Sequence, residues 1–381
     1  MEKKELTYDD VVRITLTLMS WYDRLDGIQD YFIEMKKEKI EGIDISNQTH
    51  LLFNDYTMSP MDMDISIVEL QSEFYNPIVQ SVASMPVENQ IGRQLTLGIK
   101  ENNTGTYLGF TRICSPVLSI KPRNELFETQ VDGKDVNKFM VNGTHIIPVQ
   151  PFGYNYLGGK LICLLGLSHE VRQLFNSKYE GKCDVIHWET TSLYGDIKGV
   201  SMYDGLKPFV RYWDMTESEN LLFPPNSLYY PILQEIRGIY GNPEWNGCLI
   251  KNLNDKGLPV SSIKQREFTK LIQILKTEMK KHNTELVKVF DTFMKTRMKT
   301  MTKKRWYYSN YGYDNNIQHI LDGEELVKGV NYDKFNMSYM IEWWKKKSYK
   351  RWKKLQEEGR LKTELELYTN DTINNERQII R

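Results

Sequence analysis

The sequence predicts an α/β chain of the α+β kind, with one central mixed sheet and helical additions at its N- and C-terminal ends. Three observations lead there. A short apolar run, His145-Ile146-Ile147-Pro148-Val149, passes through a glycine-rich turn into a long periodic segment and then a second apolar run, Asp184 to Glu189. Strand, turn, helix and strand in that order require a parallel pair with a right-handed crossover. Upstream, Leu95, Leu97 and Ile99 alternate as a half-buried strand does, and toward both ends the apolar spacing becomes helical.

Each element has its own signal. Val11, Thr15, Leu18, Tyr22 and Leu25 recur every three or four residues, so an amphipathic helix is expected from Tyr8 to about Lys39, with Gly27 as its interruption. A turn-rich patch from Met58 to Asp64 follows. Gln90 to Pro116 reads as short strands closing a hairpin around Asn102-Asn103-Thr104-Gly105. From about Lys160 to Tyr179, Leu164, Leu167, Val171, Leu174 and Phe175 share one helical face. Beyond Ser262, Phe268, Leu271, Leu275, Met279, Leu286, Phe290 and Phe293 keep helical spacing, and Asn283-Thr284 divides that stretch. The resulting boundaries are a helical segment over 1–85, an α/β core over 86–255, a basic aromatic-rich helical region over 256–369 and a frayed polar tail over 370–381.

Apolar residues form 40% of the 381-residue chain and aromatics 12%, enough to build a core and to exclude wholesale disorder. No apolar stretch is long enough to span a bilayer, and the start, MEKKELTYDD, lacks an apolar targeting core, so a cytoplasmic protein is expected. Cys114, Cys163, Cys183 and Cys248 are far apart and make no ligand-spaced set, so reduced thiols and no metal are expected. Net charge is zero, yet Lys264 to Arg360 holds 23 Lys/Arg against 12 Asp/Glu, a net of +11 balanced by −11 elsewhere.

The turn from Gln150 to Lys160 is the candidate phosphate site, because glycines at a helix entry let backbone N–H groups face an anion. A nucleotide P-loop is excluded, since Lys160 comes one residue late and Leu161 follows it. Gly153, Gly158 and Gly159 also miss the dinucleotide fingerprint. Gln150-Pro151-Phe152-Gly153 matches the first half of the Q/R-x-x-G-x-G/A turn of acyl-CoA enzymes, with Asn155 where Gly or Ala is the rule. The expected cofactor is therefore acyl-CoA, held by Gln150, Gly153, Asn155, Gly158, Gly159 and Lys160.

At the end of the second strand, Glu189 to Tyr194 gathers side chains that can hydrogen-bond. Glu189 is the candidate base for an attacking amine and Tyr194 the candidate acid for a leaving thiolate, with Ser192 and Tyr203 beside them. Asp204 is a secondary candidate. His169 and His187 read as satisfied structural histidines. A serine hydrolase is set aside for want of a nucleophile elbow.

Two C-terminal stretches, Lys303 to Tyr313 and Trp343 to Lys354, interleave cations with aromatic rings. Cations neutralise phosphates and flat rings stack on unpaired bases, so nucleic acid, DNA before RNA, is the expected partner. Lys304, Arg305, Lys346, Lys350 and Arg351 would supply charge, and Trp306 or Trp352 a platform. The competing reading is a solvated helix with inward tryptophans and snorkelling lysines.

The chain resembles phage-encoded proteins related to the DruA component of the Druantia anti-phage defence system. The likeness rests on Asn89-Gln90-Ile91-Gly92-Arg93-Gln94, Pro122-Arg123-Asn124-Glu125-Leu126-Phe127, Gln150-Pro151-Phe152-Gly153, Gly158-Gly159-Lys160-Leu161, Thr191-Ser192-Leu193-Tyr194-Gly195 and Ser201-Met202-Tyr203-Asp204-Gly205. Its strand, glycine turn, helix and strand also look like those of Mom-type DNA-modifying proteins of the GNAT acyltransferases. That second resemblance implies a GNAT-like central mixed sheet with helical N- and C-terminal additions and an acyltransferase-like enzyme acting on nucleic acid. The alternatives are a nucleic-acid-binding protein without turnover and a protein engaging a host defence or replication partner.

Overall fold

The structure, a computed structural model, describes residues 5–88, 92–193, 200–216, 220–250, 261–300 and 304–373. It opens with α1 (Tyr8–Asp23), where Thr7 and Asp10 each bond the other's backbone N–H in a reciprocal cap. Gly27 separates α1 from α2 (Ile28–Ile40), as the sequence predicts. Then come β1 (Ile65–Glu69) and α3 (Ser72–Val82). β2 (Gln94–Glu101) and β3 (Thr106–Cys114) form the expected hairpin, and the Glu101 carboxylate pins its turn by accepting from the Asn103 and Thr104 amides.

Two short helices, α4 (Lys121–Leu126) and α5 (Gly133–Phe139), lead into β4 (Met140–Pro148). After α6 (Phe152–Tyr156), α7 (Gly158–Gly166) and α8 (His169–Lys178), β5 (His187–Ser192) returns alongside β4. The single helix expected over 160–179 is thus broken. Leu167 leaves helical geometry, and the Ser168 hydroxyl accepts from the Val171 N–H to start α8 afresh.

The remaining elements are β6 (Arg211–Met215), β7 (Asn220–Leu221), α9 (Asn226–Tyr240), α10 (Ser261–His282), α11 (Thr284–Phe293), β8 (Lys299–Thr300), β9 (Arg305–Ser309), α12 (Asn316–Asp322) and α13 (Met337–Glu357). Asn283 caps α11 at the division read from the sequence. A two-stranded ribbon joins β7 to β8, and the main sheet has seven strands in the order β1-β2-β3-β4-β5-β9-β6. Its β4/β5 pair is parallel and its other pairs are antiparallel.

The parallel pair is short. Met140, Val141 and Asn142 face His187, Trp188 and Glu189, and no later residues of β4 and β5 pair. At the point of separation the Thr190 hydroxyl donates to the Gly143 carbonyl at 2.7 Å, taking the place of a ladder bond. Gly143 is required there, because a Cβ would lie 2.5 Å from the Trp188 ring. From this point the strands diverge and leave a cleft.

The division at residues 85 and 256 does not follow the sheet. The N-terminal segment contributes β1, and the basic region, expected to be helical, contributes β9 between β5 and β6. The physical reason is the residue set: Trp306 and Tyr307 are fully buried there, and a strand with large rings on both faces suits the middle of a sheet covered on both sides. Meanwhile α1, α9, α10 and α11 build their own apolar cluster around Leu18, Tyr22, Ile236, Phe268 and Leu275. The expected frayed tail also starts later than Asn370, since Ile373 packs with Ile33, Ile40 and Tyr368; residues 374–381 lie outside the described residues. The cysteines are all free thiols, as expected.

If β9 is a core strand, Trp306→Ala should cost about 3–5 kcal/mol of stability in a urea transition. A loss below about 0.5 kcal/mol, typical of exposed sites, would place this strand outside the core.

Candidate functional site

The diverging ends of β4 and β5 open a cleft of about 1310 Å³. Thr144 and His145 line it from β4, and Glu189, Thr190 and Ser192 from β5. Tyr203, on the 3-10 turn Met202–Gly205, and Lys304 and Trp306, from the stretch that enters β9, complete the polar and aromatic part of the wall.

Glu189 is at this wall but is not a free base. Both its oxygens take Arg123 Nη1, at 3.1 and 3.2 Å, and both side chains are buried. The other Arg123 terminal nitrogen donates to the Val117 and Leu118 carbonyls at 2.6 and 2.7 Å. Burial pushes the Glu189 carboxyl upward, and the guanidinium pulls it back. This ion pair fastens the segment before α4 to the sheet. Arg123 is visible in the sequence only as part of the resemblance block Pro122 to Phe127.

The other expected catalytic groups divide. Ser192 reaches the cleft and its hydroxyl accepts from Ser201 at 3.2 Å. Tyr203 packs edge-on to Tyr307 with centroids 5.1 Å apart, and burial drives its phenol well upward, so it stays protonated. Tyr194 lies outside the described residues. Asp204 has a structural task, accepting from Arg305 Nη1 at 2.9 Å and from the Tyr307 hydroxyl at 2.8 Å.

Much of the N–H cradle expected of the glycine turn is spent inside the chain. The amides of Gly153, Asn155 and Lys160 donate to the carbonyls of Val149, Pro151 and Leu157, and that of Tyr154 to the Gln150 side chain. Asn155 is fully buried and clasps Lys362 through two bonds, its amide donating to the Lys362 carbonyl at 2.8 Å and its oxygen accepting the Lys362 N–H at 3.1 Å. The glycines serve packing. A Cβ on Gly153 would meet the Gln150 amide, one on Gly158 the Phe152 ring at 2.6 Å, and one on Gly159 the Met202 sulfur at 2.6 Å. Lys160 sits beside the Gly205 backbone, its ammonium pushed down by burial and by Lys347. The amides of Gly153, Tyr154, Asn155 and Lys160 are thus spent within the chain, and the space beside the glycines is taken by side chains.

Of the expected nucleic-acid residues, Trp306 is fully buried and stacks on Tyr308 at 5.6 Å. Trp352 is 8% exposed and its indole N–H donates to the Tyr56 carbonyl. Neither can serve as a base platform, which corrects the stacking expectation. Their rings face inward because each is the apolar face of its own element, β9 and α13. Arg305 is committed to Asp204 and lies 4.2 Å over the Tyr212 ring. Lys304 lines the cleft, and its ammonium is pushed down by burial. Arg351 lies 4.7 Å over Tyr154, whereas Lys346 and Lys350 are exposed on α13. Trp213, 45% exposed on edge strand β6, is an aromatic that its sequence context does not single out.

Both histidines are buried, and each has one ring nitrogen, Nδ1 of His169 and Nε2 of His187, without a hydrogen-bond partner among the described residues. His169 bonds the Tyr332 carbonyl and is pushed down to about 4, and His187, stacked on Tyr308, is pushed down to about 3, burial being the main cause in both. In the sequence His145 is only the start of an apolar strand, yet it lines the cleft. Among the described residues, no group of His, Cys, Asp and Glu could hold a metal ion, and no helix is long and apolar enough to cross a membrane.

The ion pair gives a pH-dependent test. In Arg123→Met the Glu189 carboxylate must be buried alone or protonated. A carboxyl raised in the folded state binds its proton more tightly there, so the penalty is full above the raised value and fades as pH falls toward about 4.3, the unfolded value. Urea transitions should show a loss of about 3–5 kcal/mol near neutral pH and a smaller loss near pH 5; equal losses would remove Glu189 as the cause.

Residues 35–198 match the family model described as Druantia protein DruA, a stretch that runs from within α2 through β5 and leaves β9 outside. No curated protein matches the chain.

Proposed function

We propose that this chain, DruA-related over residues 35–198, holds a small ligand between β4 and β5 and acts on nucleic acid, with acyl transfer as the reaction class. The divergence of the parallel pair carries the reading. It exposes polar side chains and strand-edge backbone of two adjacent strands to one enclosed volume, the usual place for a ligand in an α/β sheet. The strand order and the strand, turn, helix, strand connection support a GNAT-like arrangement.

An acyl-CoA donor would have to bind in this cleft by groups other than the filled glycine turn. Ser192, Thr190 and Lys304 are among the cleft-lining groups able to orient an acceptor or hold an anion. The nucleic-acid surface is the outer face of α13, where Lys346, Lys347 and Lys350 are exposed and lack a carboxylate within ion-pair distance among the described residues. A second reading, a nucleic-acid-binding protein without turnover, is favoured by the closed glycine turn.

Native mass spectrometry of protein purified without added ligand, followed by calorimetry with acetyl-CoA, separates the two. A retained CoA species or saturable acetyl-CoA binding supports the transferase, and neither leaves the binding protein. For the α13 face, anisotropy with duplex DNA over a salt series should show a log-affinity slope that flattens by about 0.9 for each phosphate that Lys346→Ala or Lys350→Ala leaves unneutralised. An unchanged slope in the double variant removes α13 as the contact surface.

A further inference from the structure

His145 stands on β4 directly opposite Arg112 of β3, and Tyr75 of α3 closes over both. The Tyr75 and His145 ring planes are nearly parallel, at 7°, and the Tyr75 hydroxyl lies 3.0 Å from His145 Nδ1. Arg112 lies 5.1 Å over the Tyr75 ring and donates to the Asn76 side chain at 2.8 Å and the Glu88 carbonyl at 3.2 Å. Among the described residues no carboxylate pairs with this guanidinium, although Arg112 is 2% exposed. The phenol, the imidazole and the cation thus form one connected group behind the cleft wall.

The hydrogen bond fixes which way the imidazole faces chemically. A buried hydroxyl must donate its hydrogen. The acceptor within reach of Tyr75 is His145 Nδ1, so the phenol donates and Nδ1 accepts. In a neutral imidazole the hydrogen then resides on Nε2. Burial and Arg112 together keep the ring neutral by pushing it down to about 3. Among the described residues Nε2 has no hydrogen-bond partner, and His145, 6% exposed, is one of the residues that line the cleft.

We propose that His145 is an Nε2-protonated hydrogen-bond donor, held in that tautomer by Tyr75, which receives a negatively charged or polarised oxygen of the ligand in the β4/β5 cleft. The uncompensated Arg112 behind it sets the sign. A buried cation without a counter-charge raises the local potential, which strengthens donation from Nε2 and favours phosphate, carboxylate or carbonyl oxygen over a cation. A neutral donor can polarise a carbonyl or steady an oxyanion without surrendering a proton. The proposal rests on the cleft as ligand site but not on the identity of the acyl donor.

The test is two-bond ¹H–¹⁵N correlation at neutral pH on protein labelled at histidine, titrated with acetyl-CoA and separately with inorganic phosphate. The His145 signals are identified by their loss in His145→Gln or, if that variant fails to fold, by their shift in Tyr75→Phe. The expected pattern is the Nε2–H tautomer in the native chain, a mixture of tautomers in Tyr75→Phe, and a shift of the Nε2 resonance with at least one probe. An Nδ1–H tautomer, an unchanged tautomer in Tyr75→Phe, or no shift with either probe overturns the proposal. A shift with phosphate alone, with acetyl-CoA silent in calorimetry, leaves His145 as the donor and removes the acyl-CoA reading.

Discussion

The pairing of β9 on both its edges is the constraint on which the rest of the molecule depends. This strand bonds β5 on one side and β6 on the other, and the Asp204 carboxylate locks it from the preceding turn through Arg305 and Tyr307. Without it β5 would be an unpaired edge beside the cleft. With it the sheet extends under the cleft, Trp306 meets Glu189 from within the wall, and the chain must return from the α9 to α11 cluster before the core is complete. Long-range closure of this kind makes the basic region part of the fold and not an appendage.

The same closure explains the C-terminal helix. Once β9 is seated, α13 lies across α6 and α7, with the Trp344 indole donating to the Tyr156 carbonyl at 3.0 Å and that of Trp352 to the Tyr56 carbonyl at 3.1 Å. Met340, Trp344, Ser348, Trp352 and Leu355 of α13 are committed to this seam, and most of the lysines between them face out. The segment after it then clasps Asn155 and bridges Gln150. The glycine turn is therefore filled by the chain's own C-terminal region, and the open volume is the cleft between β4 and β5.

Around that cleft the charges are unequally paired. Glu189 has Arg123, but Arg112, Lys36 and Lys304 have no carboxylate within ion-pair distance among the described residues. Lys36 is held by the Gln80 carbonyl and pushed by burial down to about 7. Burying cations without counter-charges is costly. Lys304 lines the cleft and Arg112 stands opposite His145 in its wall, so an anionic ligand there would offset part of that cost.

Local physics made much of the fold legible. Residue spacing marked α1 and α2 with Gly27 between them, the β2/β3 hairpin, the β4-to-β5 crossover and the Asn283 break, because each depends on residues close in sequence. It also placed Glu189, Ser192 and Tyr203 near one another, since they lie on β5 or follow it within a few residues. What it could not supply was partnership across distance. Arg123 reaches Glu189 and Tyr75 reaches His145 only through the sheet, and Asn155 belongs to Lys362 only because α13 folds back. The interleaved Lys/Arg and aromatic pattern at 303–313 fits a solvated helix and a buried strand equally well by composition. Pairing with β5 and β6 decided between them, because a strand's place in a sheet is set by its neighbours' unsatisfied backbone and not by its own sequence.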